Sequence, residues 1–232
     1  MSMIDFHSHI LPGIDDGSRD AAMTRAMLEM SAAQGVTHMV ATPHFYADLD
    51  TVDRFLARRE RAIETAVPLA QEAGVDLFVG AEAAFFDGMS AAEEIEKLKI
   101  EGTDLLLLEM PFRAWSARDV RELERLLNGG YELILAHMER FPEFQRDKGI
   151  LEAVLDLPLL VQINAEALLS WGPRHQVLKW FKAGKAHLLG SDCHNTDRRP
   201  PDLAEGRAVL LKKLGEDFLA GMDDFAEEIL GL

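Results

Sequence analysis

Two histidines one residue apart stand at the start of the chain, in Ile4-Asp5-Phe6-His7-Ser8-His9, where the two-residue period of a strand puts both imidazoles on one face. Asp16 follows in the turn Pro12-Gly13-Ile14-Asp15-Asp16-Gly17. Further apolar runs end in Thr42-Pro43-His44, Gly80-Ala81-Glu82, Leu108-Glu109, Ala136-His137 and Ser191-Asp192-Cys193-His194. A lone His-x-His is usually chance, and a buried Glu at a strand end is as often an ion-pair partner as a ligand. The joint pattern is different. Carboxylates and imidazoles gathered at one place are costly to bury unless cations neutralise them. The set His7, His9, Asp16, His44, Glu82, Glu109, His137, Asp192 and His194 offers nitrogen and oxygen donors and no thiolate, which suits Mn, Fe, Zn or Mg rather than a structural thiolate site.

A second pattern competes. Cys193 and Arg199, with five residues between them, have the spacing of thiol-based phosphatases, in which a thiolate attacks phosphorus while a tight loop of amide N–H groups holds the phosphate. Here the loop reads His194-Asn195-Thr196-Asp197-Arg198, with no glycine and with an acid where phosphate oxygens would lie. Pro200 and Pro201 follow and supply no N–H. The thiol mechanism is therefore set aside.

Something must carry these residues to one place. Strand-like runs cover 3–7, 36–42, 76–81, 104–109, 132–136, 159–163 and 186–190, and six of these seven end in or beside His, Asp or Glu. Helical periodicity lies between them near 19–34, 53–73, 90–99, 117–129, 143–156 and 174–184, and again over 202–230. In the first helix, Ser18 reads as the cap and Gly35 as the stop. Short, continuously apolar strands suit a parallel sheet covered on both faces, and seven βα units predict a closed or nearly closed α/β barrel. In a barrel the carboxyl ends of all strands share one rim, where active sites are built. A doubly wound open sheet has neither Gly-x-Gly-x-x-Gly nor P-loop to support it.

The 232 residues, 48% hydrophobic and 28% charged, fit one globular domain over 1–232. No apolar run approaches a membrane span, so no membrane insertion is expected. The opening Met-Ser-Met-Ile-Asp has no basic or apolar signal region, and the single Cys193 permits no intrachain disulfide, so a cytoplasmic location is expected. With 24 Lys+Arg against 40 Asp+Glu, the formal charge of −16 weighs against a nucleic-acid partner and requires a local positive device for any phosphate-bearing substrate. His38 and His187 lie inside apolar runs and read as core or supporting residues, while His175 begins a helix. Asp5 shares a strand face with His7, as its orienting partner or as a structural acceptor. Phe45, Tyr46, Phe112 and Trp115 follow the ligand-bearing strands, where they wall a pocket or anchor loops.

The ordered set His-x-His, Asp, His, Glu, Glu, His and Asp-x-His resembles the polymerase and histidinol phosphatase (PHP) superfamily. Several segments are similar to its metal-dependent bacterial protein-tyrosine phosphatases of capsule and exopolysaccharide operons, the CpsB or YwqE type. They are Ile-Asp-Phe-His-Ser-His-Ile-Leu-Pro-Gly-Ile-Asp-Asp-Gly, Ala-Thr-Pro-His-Phe, Leu-Leu-Glu-Met-Pro-Phe, Ala-His-Met-Glu-Arg-Phe and Gly-Ser-Asp-Cys-His-Asn. The resemblance spans Ile4 to about Pro201 and implies a distorted (β/α)7 TIM-like barrel with a metal site at the carboxyl rim. It places the family's ligands on the nine residues already singled out. It implies three divalent ions, manganese first and Fe, Zn or Mg as alternatives, with a bridging hydroxide as the attacking group. Its phosphate-contacting arginines fall on Arg140 and on the Arg198–Arg199 pair, with Arg199 taken, and His44 and His194 join them in the catalytic set. The implied substrate is phosphotyrosine on a protein, the tail of a bacterial tyrosine autokinase; homo-oligomers occur in the family. A PHP-type histidinol-phosphate or other small-molecule phosphatase is the alternative.

Overall fold

The computed structural model describes residues 2–232. Its strands are β1 (Ile4–Ser8), β2 (His38–Ala41), β3 (His44–Phe45), β4 (Asp76–Val79), β5 (Glu82–Ala84), β6 (Leu105–Glu109), β7 (Glu132–Leu135), β8 (Leu160–Asn164) and β9 (Leu188–Gly190). Every named strand pair is parallel, in the orders β1-β2-β4 and β3-β5-β6-β7-β8-β9. Strands β2 and β3 lie on one path broken at Thr42-Pro43, where proline brings no N–H to the ladder. Strands β4 and β5 likewise form one path broken at Gly80-Ala81. The nine short strands thus occupy seven barrel positions. The ring closes where Ser8 bridges Cys193, with the His9 N–H donating to the Cys193 carbonyl at 2.9 Å and the Asp192 N–H to the His7 carbonyl at 2.7 Å. The result is the expected TIM-like barrel.

The described residues form eight α-helices: α1 (Ala21–Ala33), α2 (Val52–Ala73), α3 (Ala117–Asn128), α4 (Lys148–Leu155), α5 (Ala165–Leu169), α6 (Trp171–Lys182), α7 (Leu203–Leu214) and α8 (Glu216–Leu230). Period-two alternation assigns the two faces of each strand. Leu105 and Leu107 of β6 join Ile4, Phe6, Ile134 and Leu188 in a core within the ring, and Leu106 and Leu108 face the helices. Ala226 and Leu230 of α8 complete the inner core, so α8 plugs the amino end of the barrel and leaves the carboxyl rim open. In β1 the register against β2 shifts between Asp5 and Ser8. A bulge of this kind re-aims side chains, and it lets Phe6 remain in the inner core while His7 and His9 turn toward the rim.

Several expected boundaries change. Asp20, not Ser18, caps α1 by accepting from the Met23 N–H at 2.9 Å; Ser18 is buried, its hydroxyl 2.8 Å from that of Thr24. The segment expected as a helix over 90–99 is two 3-10 turns, Met89–Ala91 and Glu93–Leu98, separated by extended Ala92. The helix expected from 143 begins only at Lys148, behind a 3-10 turn that opens with Pro142. The terminal helix expected over 202–230 is split at Gly215, whose φ of 93° ends α7 and starts α8. The short helix α5 was not expected.

Candidate metal centre

All nine expected ligands meet at the carboxyl rim. Three of their atoms form one close group: His7 Nε2 lies 3.1 Å from His9 Nε2 and 3.3 Å from Glu82 Oε2, with Asp192 Oδ1 beside it at 3.6 Å. His9 Nε2 stands 3.4 Å from the same glutamate oxygen and 3.3 Å from the same aspartate oxygen. Donors bound at about 2.1 Å around one ion sit roughly 3–3.5 Å apart, which is the spacing seen. His44 Nδ1 also approaches Glu82 Oε2, at 2.7 Å, so that oxygen faces three imidazoles. On one side His137 Nε2 lies 2.8 Å from Glu82 Oε1 and 3.3 Å from Glu109 Oε1. On the other, Asp16 Oδ1 lies 3.6 Å from His44 Nε2 and 3.5 Å from His194 Nε2.

These donors fit divalent ions. Buried His44 Nδ1, Glu82 Oε2 and His194 Nε2 have no hydrogen-bond partner although ligand atoms crowd around them, a costly state that cations would relieve. Electrostatics agrees. Burial opposes charge on His9, yet the hydrogen bond to Asp15 and the nearby carboxylates of Asp192 and Glu82 outweigh it and raise its pKa well above the usual imidazole value. Burial likewise opposes charge on His137, but Glu109 and Glu82 lift its pKa to about 10. Burial would raise Glu82 and Asp192; neighbouring histidines, His7 foremost, hold both well below the normal carboxylate range. Protons on imidazole therefore stand where metal cations would stand, and loading the site would release them. His194 differs: burial and the charge of His9 lower its pKa to about 4, leaving a neutral ring.

Two of the expected ligands sit on strained backbone. His137 has φ 32° and Asp192 φ 53°, left-handed values that non-glycine residues rarely adopt and that concentrate at functional sites. Close packing is equally specific at Gly190, where an added Cβ would lie 2.6 Å from His7 Cβ and 2.8 Å from Gln162 Nε2.

Partners behind the ligands fix their orientation. Asp15 lies 2.8 Å from His9 Nδ1 and accepts from the His44 N–H at 3.0 Å, while its neighbour Asp16 faces outward to His44 and His194. Gln162 Oε1 is 3.1 Å from His7 Nδ1 and accepts from the His137 N–H at 2.8 Å. Its amide donates to Asn164 Oδ1 at 2.9 Å, and Asn164 Nδ2 in turn donates to Asp192 Oδ2 at 2.8 Å. His194 Nδ1 donates to the Asp192 carbonyl at 2.9 Å, which leaves Nε2 for the centre. Asp15, Gln162 and Asn164 were missed by sequence reasoning, although two amides at alternate positions of an apolar strand were a legible signal. Asp5 proves a structural acceptor: it receives the Ser191 hydroxyl at 2.6 Å and the Ser191 N–H at 2.8 Å.

Arg140 and Arg199 enter from opposite flanks and converge on Asp192 Oδ2, at 2.8 Å and 2.6 Å. Asn195 Oδ1 accepts the N–H groups of Asp197, Arg198 and Arg199, and this turn points Arg199 at the centre and leaves Arg198 exposed. The same turn consumes amides that a phosphate-binding loop would need. Cys193 is fully buried, and burial with the charge of nearby Asp5 pushes its thiol pKa far up, so it cannot serve as a thiolate nucleophile. Of the four aromatics, Phe45 and Trp115 are buried, whereas Tyr46 lies beside His44 with rings 5.4 Å apart and half-exposed Phe112 stacks on His137 at 6.1 Å and 25°. His38 and His187 sit near the amino ends of β2 and β9, away from the rim, and His175 is exposed.

Residues 3–225 match the sequence profile described as capsular polysaccharide synthesis, CpsB/CapC. The chain belongs to the CpsB/CapC family. Tyrosine-protein phosphatase CpsB of Streptococcus pneumoniae is 26% identical over 225 residues, covering 92% of this chain and 91% of that protein. Tyrosine-protein phosphatase YwqE of Bacillus subtilis strain 168 is 27% identical over 240 residues, covering 98% and 91%. A crystal structure from work on YwqE of B. subtilis and CpsB of S. pneumoniae, described as unique metal-dependent tyrosine phosphatases, superposes with a TM-score of 0.83 at 24% identity, covering 98% of this chain and 94% of the other. That match carries the barrel fold.

Proposed function

We propose that the protein is a metal-dependent protein-tyrosine phosphatase that removes phosphate from a bacterial tyrosine autokinase controlling capsule or exopolysaccharide synthesis. The observation that carries this reading is the meeting of nine imidazole and carboxylate side chains, several with a buried atom that has no hydrogen-bond partner, beneath two converging arginines. Both tyrosine phosphatases named above share more than nine-tenths of this chain's length.

His7, His9, Asp16, His44, Glu82, Glu109, His137, Asp192 and His194 would hold the ions, three of them and manganese by preference. Four carboxylates and neutral imidazoles alone would repel a phosphate dianion; divalent ions bound there supply the compensating charge and bring the pKa of water toward neutrality. Arg140 and Arg199 then take the equatorial phosphoryl oxygens, where charge accumulates as the phenolate leaves. A phenolate with a parent pKa near 10 needs less protonation than an alkoxide, so His44, on the outer side of the centre beside Asp16, would suffice as proton source, whereas His194, a neutral ring whose Nδ1 hydrogen goes to the Asp192 carbonyl, would not. Large apolar side chains exposed on the carboxyl side of the strands, Leu49 at 75% and Phe112 at 48% in loops and Trp171 at 90% at the start of α6, favour a polypeptide substrate over a small metabolite. Among the described residues no helix is long and apolar enough to cross a membrane. Parallel kinetics of the Mn-loaded protein on a phosphotyrosine peptide and on histidinol phosphate test the reading: a kcat/KM higher for the peptide supports it, and preference for histidinol phosphate overturns it.

A further inference from the structure

A cleft of about 560 Å³ opens directly off the metal centre, sharing His44 and Asp16 with it. Its apolar lining comes from Ile14, Phe45, Phe55 and Leu49, the last three-quarters exposed although large and apolar. Its far wall is the first turns of α2, with Arg54 and Arg58. Both guanidinium groups pair with one carboxylate, Asp50, at 3.4 Å and 2.8 Å, so this wall carries two positive charges against one, whereas Asp15 and Asp16 line the side next to the centre. Beyond Arg58 a second cleft, of about 470 Å³, continues past Arg61 and Arg19. Arg54, Arg58 and Arg61 span seven residue steps of helix, about 10 Å at 1.5 Å per residue, which an extended peptide covers in about three residues.

This run of arginines stands out on a chain of formal charge −16. Arg59, between them in sequence, is buried and donates to the Gly80 carbonyl at 2.7 Å, so its role is structural. Arg54 is 78% exposed and Arg58 41% exposed on their side chains, open to a ligand. Arg58 also donates to the Ile14 carbonyl at 2.8 Å and so braces the loop that carries Asp15 and Asp16.

We propose that this cleft and its arginine wall bind the residues flanking the phosphotyrosine, with an apolar side chain against Leu49 and Tyr46 and acidic side chains along Arg54, Arg58 and Arg61. The proposal rests on the tyrosine-phosphatase reading and specifies the polypeptide that reading takes: an acidic flank. Charge complementarity decides the occupant, since a basic flank would face the arginines and a neutral one would leave them unused.

The test is kinetics of the Mn-loaded protein on phosphotyrosine peptides whose flanking positions are Glu, Gln or Lys, with para-nitrophenyl phosphate as a reference that has no flank. For the unmodified protein, kcat/KM should be about fivefold higher with Glu than with Gln, the scale of two part-exposed ion pairs, and the preference should shrink in 0.5 M salt. In the double variant Arg54→Glu/Arg61→Glu, the ratio of Glu-peptide to reference kcat/KM should fall, and the Lys-flanked peptide should become the better substrate. Equal rates for all three flanks, or a Glu preference undiminished in the double variant, overturn the proposal while turnover of phosphotyrosine leaves the phosphatase reading standing. Loss of turnover on every substrate by the unmodified protein would take down both.

Discussion

Replacing Arg199 with alanine isolates the claim that the loop after His194 aims a cation at the phosphoryl group. Arg199 Nη2 lies 2.6 Å from Asp192 Oδ2, an oxygen that also receives Arg140 at 2.8 Å and the Asn164 amide at 2.8 Å. Removing one oriented donor to a transition-state oxyanion costs about 10²–10³ in kcat. Each arginine side chain is about one-third exposed, so solvent replaces part of the lost charge and the lower end, about 10²-fold, applies. The double variant Arg140→Ala/Arg199→Ala should lose less than the product of the single losses, because both guanidinium groups meet at one oxygen. Lysine should restore only part of the rate, since a point charge cannot make a bidentate contact. Arg198→Ala is the control: its side chain is exposed, and its rate should be near that of the unmodified protein. The assay is phosphate release from a phosphotyrosine peptide at saturating substrate, with metal content measured on the same samples. A normal rate for Arg199→Ala beside a hundredfold loss for Arg198→Ala would refute the register, and normal rates for both Arg140→Ala and Arg199→Ala would refute the clamp.

Cys193→Ser should keep most of the activity, because the thiol is buried and far too basic to ionise; a dead variant with full metal content and an intact fold would restore the thiol mechanism. Gly190→Ala should lower metal content and thermal stability together, since its Cβ would overlap His7 Cβ and Gln162 Nε2; normal metal content would show that the contact relaxes without moving His7. Burial, together with the nearby carboxylates Asp5, Glu166 and Glu205, raises the Asp202 pKa from 3.8 to about 7, and its Oδ1 has no partner. An acid whose folded pKa is raised is destabilising once ionised, so this group's contribution falls as pH rises from about 4 through 7. Asp202→Asn should therefore raise Tm more at pH 8 than at pH 4.5, and an equal change at both values would contradict the assignment.

The convergence of the nine candidate side chains was legible because a barrel concentrates chemistry at strand ends, and nearly every strand run ends in or beside a ligand-type side chain. Which neighbouring residue did which task was not. Asp15 and Asp16 are chemically alike, and only the turn that sends one back to His9 and the other out to His44 and His194 separates their roles. Arg198 and Arg199 are equally indistinguishable until Asn195 gathers the amides between them. Gln162 and Asn164 lay in a strand that ended in no acid or imidazole, and that strand drew no attention, yet its amides orient His7 and Asp192. Among the elements, Gly215 was a visible stop inside the long terminal helix. The 90–99 segment offered no such punctuation: Ala92 is extended between two 3-10 turns whose Met89, Ile95 and Leu98 are buried.

The most direct test of the central claim is turnover of a phosphotyrosine peptide by protein dialysed against a strong chelator, with metal content followed by mass spectrometry. The stripped protein should lose nearly all activity, and Mn²⁺ should restore it in proportion to the metal taken up. Undiminished turnover by protein shown to hold no metal would contradict the account.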